Sequence, residues 1–409
     1  MKYLIVIPDG AADYPVPELN GKTPLEAADK PAINRLAARS LTGTVLNVPE
    51  GMVPESDTAN LAILSYDPKV YSRGRSPLEA FSMGLEMLDS DVAFRCNLIT
   101  LSEDEDPDRR VILDHSADEI TTGEAALLIK EIGEKLGTEK RRFYPGVSYR
   151  HCMLWSDPPA YGDFERPHDH IGHMAGPLYP SGEYGWLTLR SYEILKDHPV
   201  NIARKQRGLK PANSIWLWSP GGKPSLPSFR EKWGLDGTVI SAVDLIKGIG
   251  LCAGMRSIDV DGATGNWKTN YTGKAEAAIQ AFRDGSDLVY VHVEAPDECG
   301  HRAELENKVR CIGDISEKIV RPVLEYLENS GGDFSVMILP DHPTPVSKRT
   351  HTREPVPFLI YRSDAAENGT DNWCERTARQ KNFYLPEGHE LMSLFLRGHA
   401  RACGGKRQV

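Results

Sequence analysis

Leu288-Val289-Tyr290-Val291-His292-Val293-Glu294-Ala295-Pro296-Asp297 is a short apolar run ending in a turn and an acid, with His301 four residues beyond. A run of this length suits a strand buried on both faces, and an acid past its carboxyl end sits where open α/β sheets form ligand sites. Two other stretches repeat the pattern. Tyr3 to Ile7 leads into Pro8-Asp9-Gly10, and Val336 to Leu339 leads into Pro340-Asp341-His342, with His351 in a loop nine residues on. Further strands are expected at Ser214 to Trp218 and Phe358 to Tyr361. Leu25 to Leu36, Ala242 to Ile249 and Lys274 to Phe282 read as helices. So does Ile312 to Leu327, which Pro322 should kink or split. Strands alternating with helices predict the α/β class, a mostly parallel sheet covered by helices on both faces.

The middle of the chain reads differently. From about Glu103 to Pro211 it is rich in acids and prolines, and its strand signals alternate, as in Arg142 to Trp155. A smaller inserted α+β domain is therefore expected over 106–211, with 1–105 and 212–409 forming the main domain. The short basic tail Arg401–Val409 reads as a frayed end. A length of 409 residues fits one large domain plus such an insertion. A formal net charge of −10 argues against nucleic acid or an anionic membrane as partner. The seven cysteines, Cys403 among them, are scattered without CxxC spacing, as in reduced cytoplasmic proteins. Lys2 to Ile7 is too short for a signal-peptide core and no apolar run approaches the roughly 18 residues of a membrane span, so a soluble, cytoplasmic protein is expected.

Asp9, Asp297 and Asp341 with His301, His342 and His351 supply six oxygen and nitrogen ligands to one sheet edge. Taken singly, each is a common turn acid or surface histidine. Together they suit two divalent ions about 3.5–4 Å apart, which clamp a phosphoryl oxygen. Mixed carboxylate and imidazole donors favour Mn²⁺ or Zn²⁺ over an all-oxygen Mg²⁺ cage. In Pro54-Glu55-Ser56-Asp57-Thr58-Ala59-Asn60-Leu61, a loop runs into an apolar helix. Ser56 there is either a helix cap or a nucleophile aimed at an anion, and Thr58 is the rival hydroxyl.

These motifs resemble the cofactor-independent phosphoglycerate mutases of archaeal type, in the alkaline phosphatase superfamily. The likeness spans nearly the whole chain. It runs through Pro8-Asp9-Gly10, Glu55 to Leu61, Tyr66-Asp67-Pro68, Gly74 to Ala80, Phe94-Arg95-Cys96-Asn97, Ser148-Tyr149-Arg150-His151, Ala212 to Trp218 and Ile240 to Gly248, besides the three acid-bearing motifs. It implies an alkaline-phosphatase-like fold whose inserted domain covers the substrate. It also implies that 3-phosphoglycerate and 2-phosphoglycerate interconvert through a phosphoserine on Ser56, without 2,3-bisphosphoglycerate. One metal would be held by Asp297, His301 and His351, the other by Asp9, Ser56, Asp341 and His342. Mn²⁺ is the first expectation, with Zn²⁺, Co²⁺ or Mg²⁺ as alternatives. Arg150 would grip the carboxylate or phosphate of this small three-carbon acid. Lys247, on a strand-to-helix turn, would stabilise or protonate the leaving oxygen. Arg95, Asn97 and His151 are the remaining substrate candidates, with packing roles for Arg95 and Asn97 as the competing expectation.

Some positions depart from the family pattern. Ser76 stands where glycine is usual, Ser219-Pro220-Gly221-Gly222 replaces a Trp-Gly-x-Gly turn, and Leu113-Asp114-His115-Ser116 replaces an Asp-Arg or Asp-Tyr step. His168, His170 and His173 form a loose cluster that reads as a solvated loop, with a third metal as the alternative. A metallophosphatase, another phosphomutase or a phosphonate hydrolase would share the same metal ligands, and a non-enzymatic phosphate-binding protein would lack one of them. The sequence leaves the oligomeric state open.

Overall fold

The computed structural model describes residues 1–397, so the tail Arg401–Val409 and Cys403 lie outside the described residues. Among the described residues thirteen strands follow one another: β1 (Lys2–Pro8), β2 (Leu41–Val45), β3 (Asp91–Leu101), β4 (Ile112–Asp114), β5 (Arg141–Tyr144), β6 (Arg150–Ser156), β7 (Ser214–Gly222), β8 (Gly237–Ile240), β9 (Arg256–Ile258), β10 (Leu288–Val293), β11 (Phe334–Ile338), β12 (Val356–Arg362) and β13 (Tyr384–Leu385). The chain divides into two compact units. One comprises Met1–Ser72 and the chain from Ser225 onward, the other Arg73–Pro224.

The first unit is built on an eight-stranded sheet in the order β13-β2-β12-β11-β1-β10-β8-β9. Strand β12 runs antiparallel to β11 and β2, and the other neighbours are parallel. The expected mostly parallel α/β sheet is thus present. Strand β1 shows why both faces are covered, since Leu4 to Ile7 are wholly buried although alternate side chains point to opposite faces. Leu4 and Val6 join a core formed with the helices Pro31–Ala37, Tyr271–Arg283, Leu305–Ile315 and Arg321–Asn329. Tyr3 instead meets Phe395 of the helix Leu391–Arg397, with ring centroids 5.4 Å apart.

Proline sets the helix boundaries. The expected helix Leu25 to Leu36 is two, Pro24–Ala27 and Pro31–Ala37, because Pro31 disfavours a helical Lys30 before it. Pro322 lacks the N–H that an unbroken helix would use. The chain accommodates it with a π-turn at Ser316–Val320, between Leu305–Ile315 and Arg321–Asn329. Among the described residues no helix is long and apolar enough to cross a membrane.

In the second unit, β3 pairs antiparallel with β6 and β7, β4 joins β3, and β5 joins β6. The helices Thr122–Leu136 and Glu183–Leu195 cover the face that carries Phe94, Cys96 and Leu98. The expected insertion, 106–211, falls inside this unit, but the observed bounds are wider. The ladder explains the difference: β3 binds β6 and β7 along most of its length, so Ser214–Trp218, expected in the main sheet, belongs here.

One charged pair lies within the first unit's core. Lys308 Nζ is 2.8 Å from Asp13 Oδ2, and both side chains are fully shielded from solvent. Removing one member of such a pair strands the other charge. We expect Lys308→Met to cost about 3–5 kcal/mol in denaturant unfolding. Adding Asp13→Asn should restore part of that loss, and an unchanged unfolding midpoint in the single variant would contradict the pairing.

Candidate active site

The middle strands of the first sheet position the candidate residues. Strand β1 lies between β10 and β11 and is parallel to both, so three chain segments leave the sheet at one edge. Asp9 follows β1, with its N–H bonded to Val293 O at 3.0 Å. After β10 the chain turns directly into the helix Ala295–Arg302, which puts Asp297 and His301 one turn apart on one face. After β11 come Asp341 and His342, both wholly buried.

Six of the predicted residues and Ser56 converge. Single ligating atoms of Asp297, His301 and His351 lie within 4.8 Å of one another, as do those of Asp9, Asp297 and His342. Ser56 Oγ is 3.1 Å from His342 Nε2, which is 3.7 Å from Asp9 Oδ1 and 3.5 Å from Asp341 Oδ2. Ser56 opens the helix Ser56–Ile63, and Glu55 takes the cap position. The serine is therefore inside the helix and not its cap.

The protons on two of the imidazoles follow from their partners. His301 Nδ1 donates to Arg349 O at 3.0 Å, and His351 Nδ1 donates to Pro54 O at 2.8 Å, since a carbonyl only accepts. Their Nε2 atoms then face each other 2.9 Å apart and also approach Asp297, at 3.3 and 3.4 Å. Two lone pairs so placed need a proton or a cation between them. Burial lowers His351, but its hydrogen bond to Asp297 prevails and raises it. The bond to Asp297 lifts His301 to about 9 against the effect of burial. Burial pushes Asp297 up, yet the hydrogen bonds from His301 and His351 outweigh it and hold the carboxyl well below the usual range. Asp9 is raised well above its ordinary value by burial and by the charges of Asp341 and Asp297, and its Oδ1 has no hydrogen-bond partner among the described residues. This donor set fits divalent cations: crowded buried carboxylates, an orphaned oxygen and converging imidazole nitrogens.

Neighbours that the sequence reading passed over hold these groups. His292 Nε2 is 3.0 Å from Asp9 Oδ2 and its Nδ1 is 3.2 Å from Ser241 Oγ; burial lowers it to about 4. Asn60 Nδ2 donates to Asp341 Oδ2 at 2.9 Å and to Ser56 O at 2.8 Å, and Tyr290 donates to Asn60 Oδ1. The available signal was Tyr290 and His292 at alternate positions in an otherwise apolar strand.

The substrate candidates belong to both units. Lys247 lies inside the helix Asp244–Cys252, not on a turn, with Nζ 2.7 Å from Asp259 and 3.3 Å from Asp244. In the second unit, Arg95, Asn97 and Arg150 share a sheet face, because Asn97 pairs with Arg150 and Arg95 with Cys152. His151 pairs with Cys96 on the opposite face. There it is buried, accepts the Gly146 N–H at 3.0 Å, and is lowered by burial to about 3. Arg95 is held by Glu79 and lies 4.5 Å from the Trp218 ring, while Asn97 Oδ1 accepts Trp218 Nε1–H at 3.1 Å. Arg150 remains exposed.

The other unplaced residues also have partners. Asp114 is a structural acid, bonded to Ser116 and to Lys210 Nζ at 2.8 Å. His168 meets Trp218 edge-on, and His170 Nε2 is 2.8 Å from Glu165. Ser76 Oγ accepts the Arg95 N–H at 3.0 Å and donates to the main-chain carbonyl of Ser219.

A raised histidine competes with a metal for its lone pair. The contribution of His301 to the stability of the metal-free protein is complete below about pH 6.5, its ordinary value, and is lost as pH rises through about 9. Metal binding must displace that proton. Calorimetric Mn²⁺ titrations should show affinity rising about tenfold from pH 7 to 8. A flat profile would mean that His301 does not bind the metal.

The family model for 2,3-bisphosphoglycerate-independent phosphoglycerate mutases matches residues 37–201. A protein of that name from Methanosarcina acetivorans is 47% identical over 403 residues, covering 97% of this chain and 100% of its own. Among solved structures, the PH0037 protein of Pyrococcus horikoshii superposes with a TM-score of 0.80 at 27% identity, covering 97% of this chain and 96% of that one. A cofactor-independent phosphoglycerate mutase from Thermoplasma acidophilum gives 0.65 at 25% identity, covering 97% and 99%. With a relative this similar over almost its full length, the chain belongs to the 2,3-bisphosphoglycerate-independent phosphoglycerate mutase family.

Proposed function

We propose that this chain interconverts 3-phosphoglycerate and 2-phosphoglycerate, with Ser56 accepting and returning the phosphoryl group and no need for 2,3-bisphosphoglycerate. The observation that carries this reading is Ser56 Oγ, 3.1 Å from His342 Nε2, at a helix start beside the buried acids. A helix start offers backbone N–H groups and the positive end of its dipole to a phosphoester. In the first half-reaction Ser56 Oγ attacks phosphorus and the bond from phosphorus to the substrate oxygen breaks. The serine hydroxyl loses a proton, and the released glycerate hydroxyl gains one. In the second half the other glycerate hydroxyl takes the phosphoryl group, and Ser56 regains its proton.

Asp297, His301 and His351 would hold one divalent ion, and Asp9, Ser56, Asp341 and His342 the other. The ions would supply positive charge to the phosphoryl oxygens and favour ionisation of the serine hydroxyl. The mixed donor set supports Mn²⁺, with Zn²⁺, Co²⁺ and Mg²⁺ as alternatives. Arg150, with its planar fork exposed, grips the substrate carboxylate or phosphate. Burial lowers Lys247, but its bonds to Asp259 and Asp244 prevail and raise it, which favours a fixed positive charge over proton donation.

Ser56→Ala should reduce turnover at least about 10³-fold in a coupled assay with 3-phosphoglycerate and Mn²⁺, with metal binding largely retained. Near-normal turnover would move the nucleophile to Thr58 or to a metal-bound water. Release of inorganic phosphate by the wild type, without 2-phosphoglycerate, would replace the mutase reading with a phosphatase.

A further inference from the structure

Thr344, in the loop after β11, is wholly buried and touches residues from both groups of candidate ligands. Its hydroxyl donates to Asp297 Oδ1 and lies 3.3 Å from His342 Nδ1. A hydroxyl has one proton to give. With that proton directed to the carboxylate, the oxygen can act only as acceptor toward the ring. His342 then carries its proton on Nδ1 and presents the Nε2 lone pair to Ser56 and Asp9.

We propose that Thr344 is a positioning residue of the two-metal site, fixing one oxygen of Asp297 and the tautomer of His342 through a single hydroxyl. The inference rests on the two-metal reading above, in which Asp297 and His342 serve different ions. His301 and His351 have their Nδ1 protons tied by backbone carbonyls, and Thr344 gives His342 the equivalent tie.

The packing around Thr344 is arranged for this contact. Its N–H donates to Ala12 O at 3.2 Å, and its carbonyl accepts from Lys308 Nζ at 2.7 Å, so the backbone is held on both sides. Two glycines leave the room. A Cβ on Gly10, whose φ is +60°, would stand 2.5 Å from Thr344 Oγ1 and 2.6 Å from Asp297 Oδ1. A Cβ on Gly300, between Cys299 and His301, would stand 2.4 Å from Thr344 O and 2.8 Å from its methyl carbon. A threonine that merely filled space would not need its hydroxyl in this position.

The test compares Thr344→Val, which keeps the shape and removes the hydroxyl, with Thr344→Ser, which keeps the hydroxyl. Calorimetric Mn²⁺ titration should show affinity about 10–100-fold weaker for the valine variant, with the serine variant close to wild type. Nitrogen-15 spectra of the metal-free wild type should show the neutral His342 ring protonated on Nδ1, a readout that needs no variant to fold. Equal weakening in both variants, wild-type affinity in the valine variant, or an Nε2 proton on His342 would overturn the proposal. A wild type that binds no Mn²⁺ would overturn the two-metal reading together with this one. Two tightly bound ions in both wild type and Thr344→Val would remove only the role of Thr344.

Discussion

Three parallel strands that end side by side, each followed by an acid, impose the constraint on which the rest of this structure depends. Strand β1 has β10 and β11 as direct neighbours, so Asp9, Asp297 and Asp341 are brought to one edge and buried together. Buried carboxylates this close repel, and burial alone disfavours their charge. Much of the surrounding structure offsets that cost. Gly10 N–H donates to Asp341 at 3.1 Å, Asn60 donates to the other Asp341 oxygen, and imidazoles approach every acid. In the proposed two-metal reading, divalent ions would supply the remaining positive charge that such a cluster of buried acids favours.

The strand-end acids and the histidines after them were legible because they need only local information: an apolar run, its end, and a residue type. The supports were not. Asn60 reaches Asp341 across most of the chain, and His292 reads as one polar residue in an apolar strand. Their roles exist only once β1, β10 and β11 are adjacent. The same limit explains β7. Ser214–Trp218 looks like any buried strand, and only its pairing with β3 assigns it to the second unit. Proline was legible only in part: the turn at Ser316–Val320 lies where Pro322 was expected to kink or split the helix, whereas the break that Pro31 imposes at Lys30 was passed over, although its cause is equally local.

Strand alternation explains why Tyr149-Arg150-His151 does not act as a block. Neighbours along a strand face opposite ways, so Arg150 remains exposed beside Asn97 while His151 goes under the helices. Arg95 and Asn97, on the same sheet face as Arg150, are engaged by Glu79 and Trp218. An arginine held by a carboxylate and a tryptophan ring is already oriented.

The Ser76 hydroxyl donates to the main-chain carbonyl of Ser219. The Ser76 hydroxyl also takes the Arg95 N–H, next to the bulge where β3 shifts register against β7. Because the acceptor on Ser219 is its main-chain oxygen, the bond depends on the side chain at position 76 and on the backbone path at 219, not on the side chain there. One hydroxyl thus works as a splice, joining the start of a helix to two neighbouring strands.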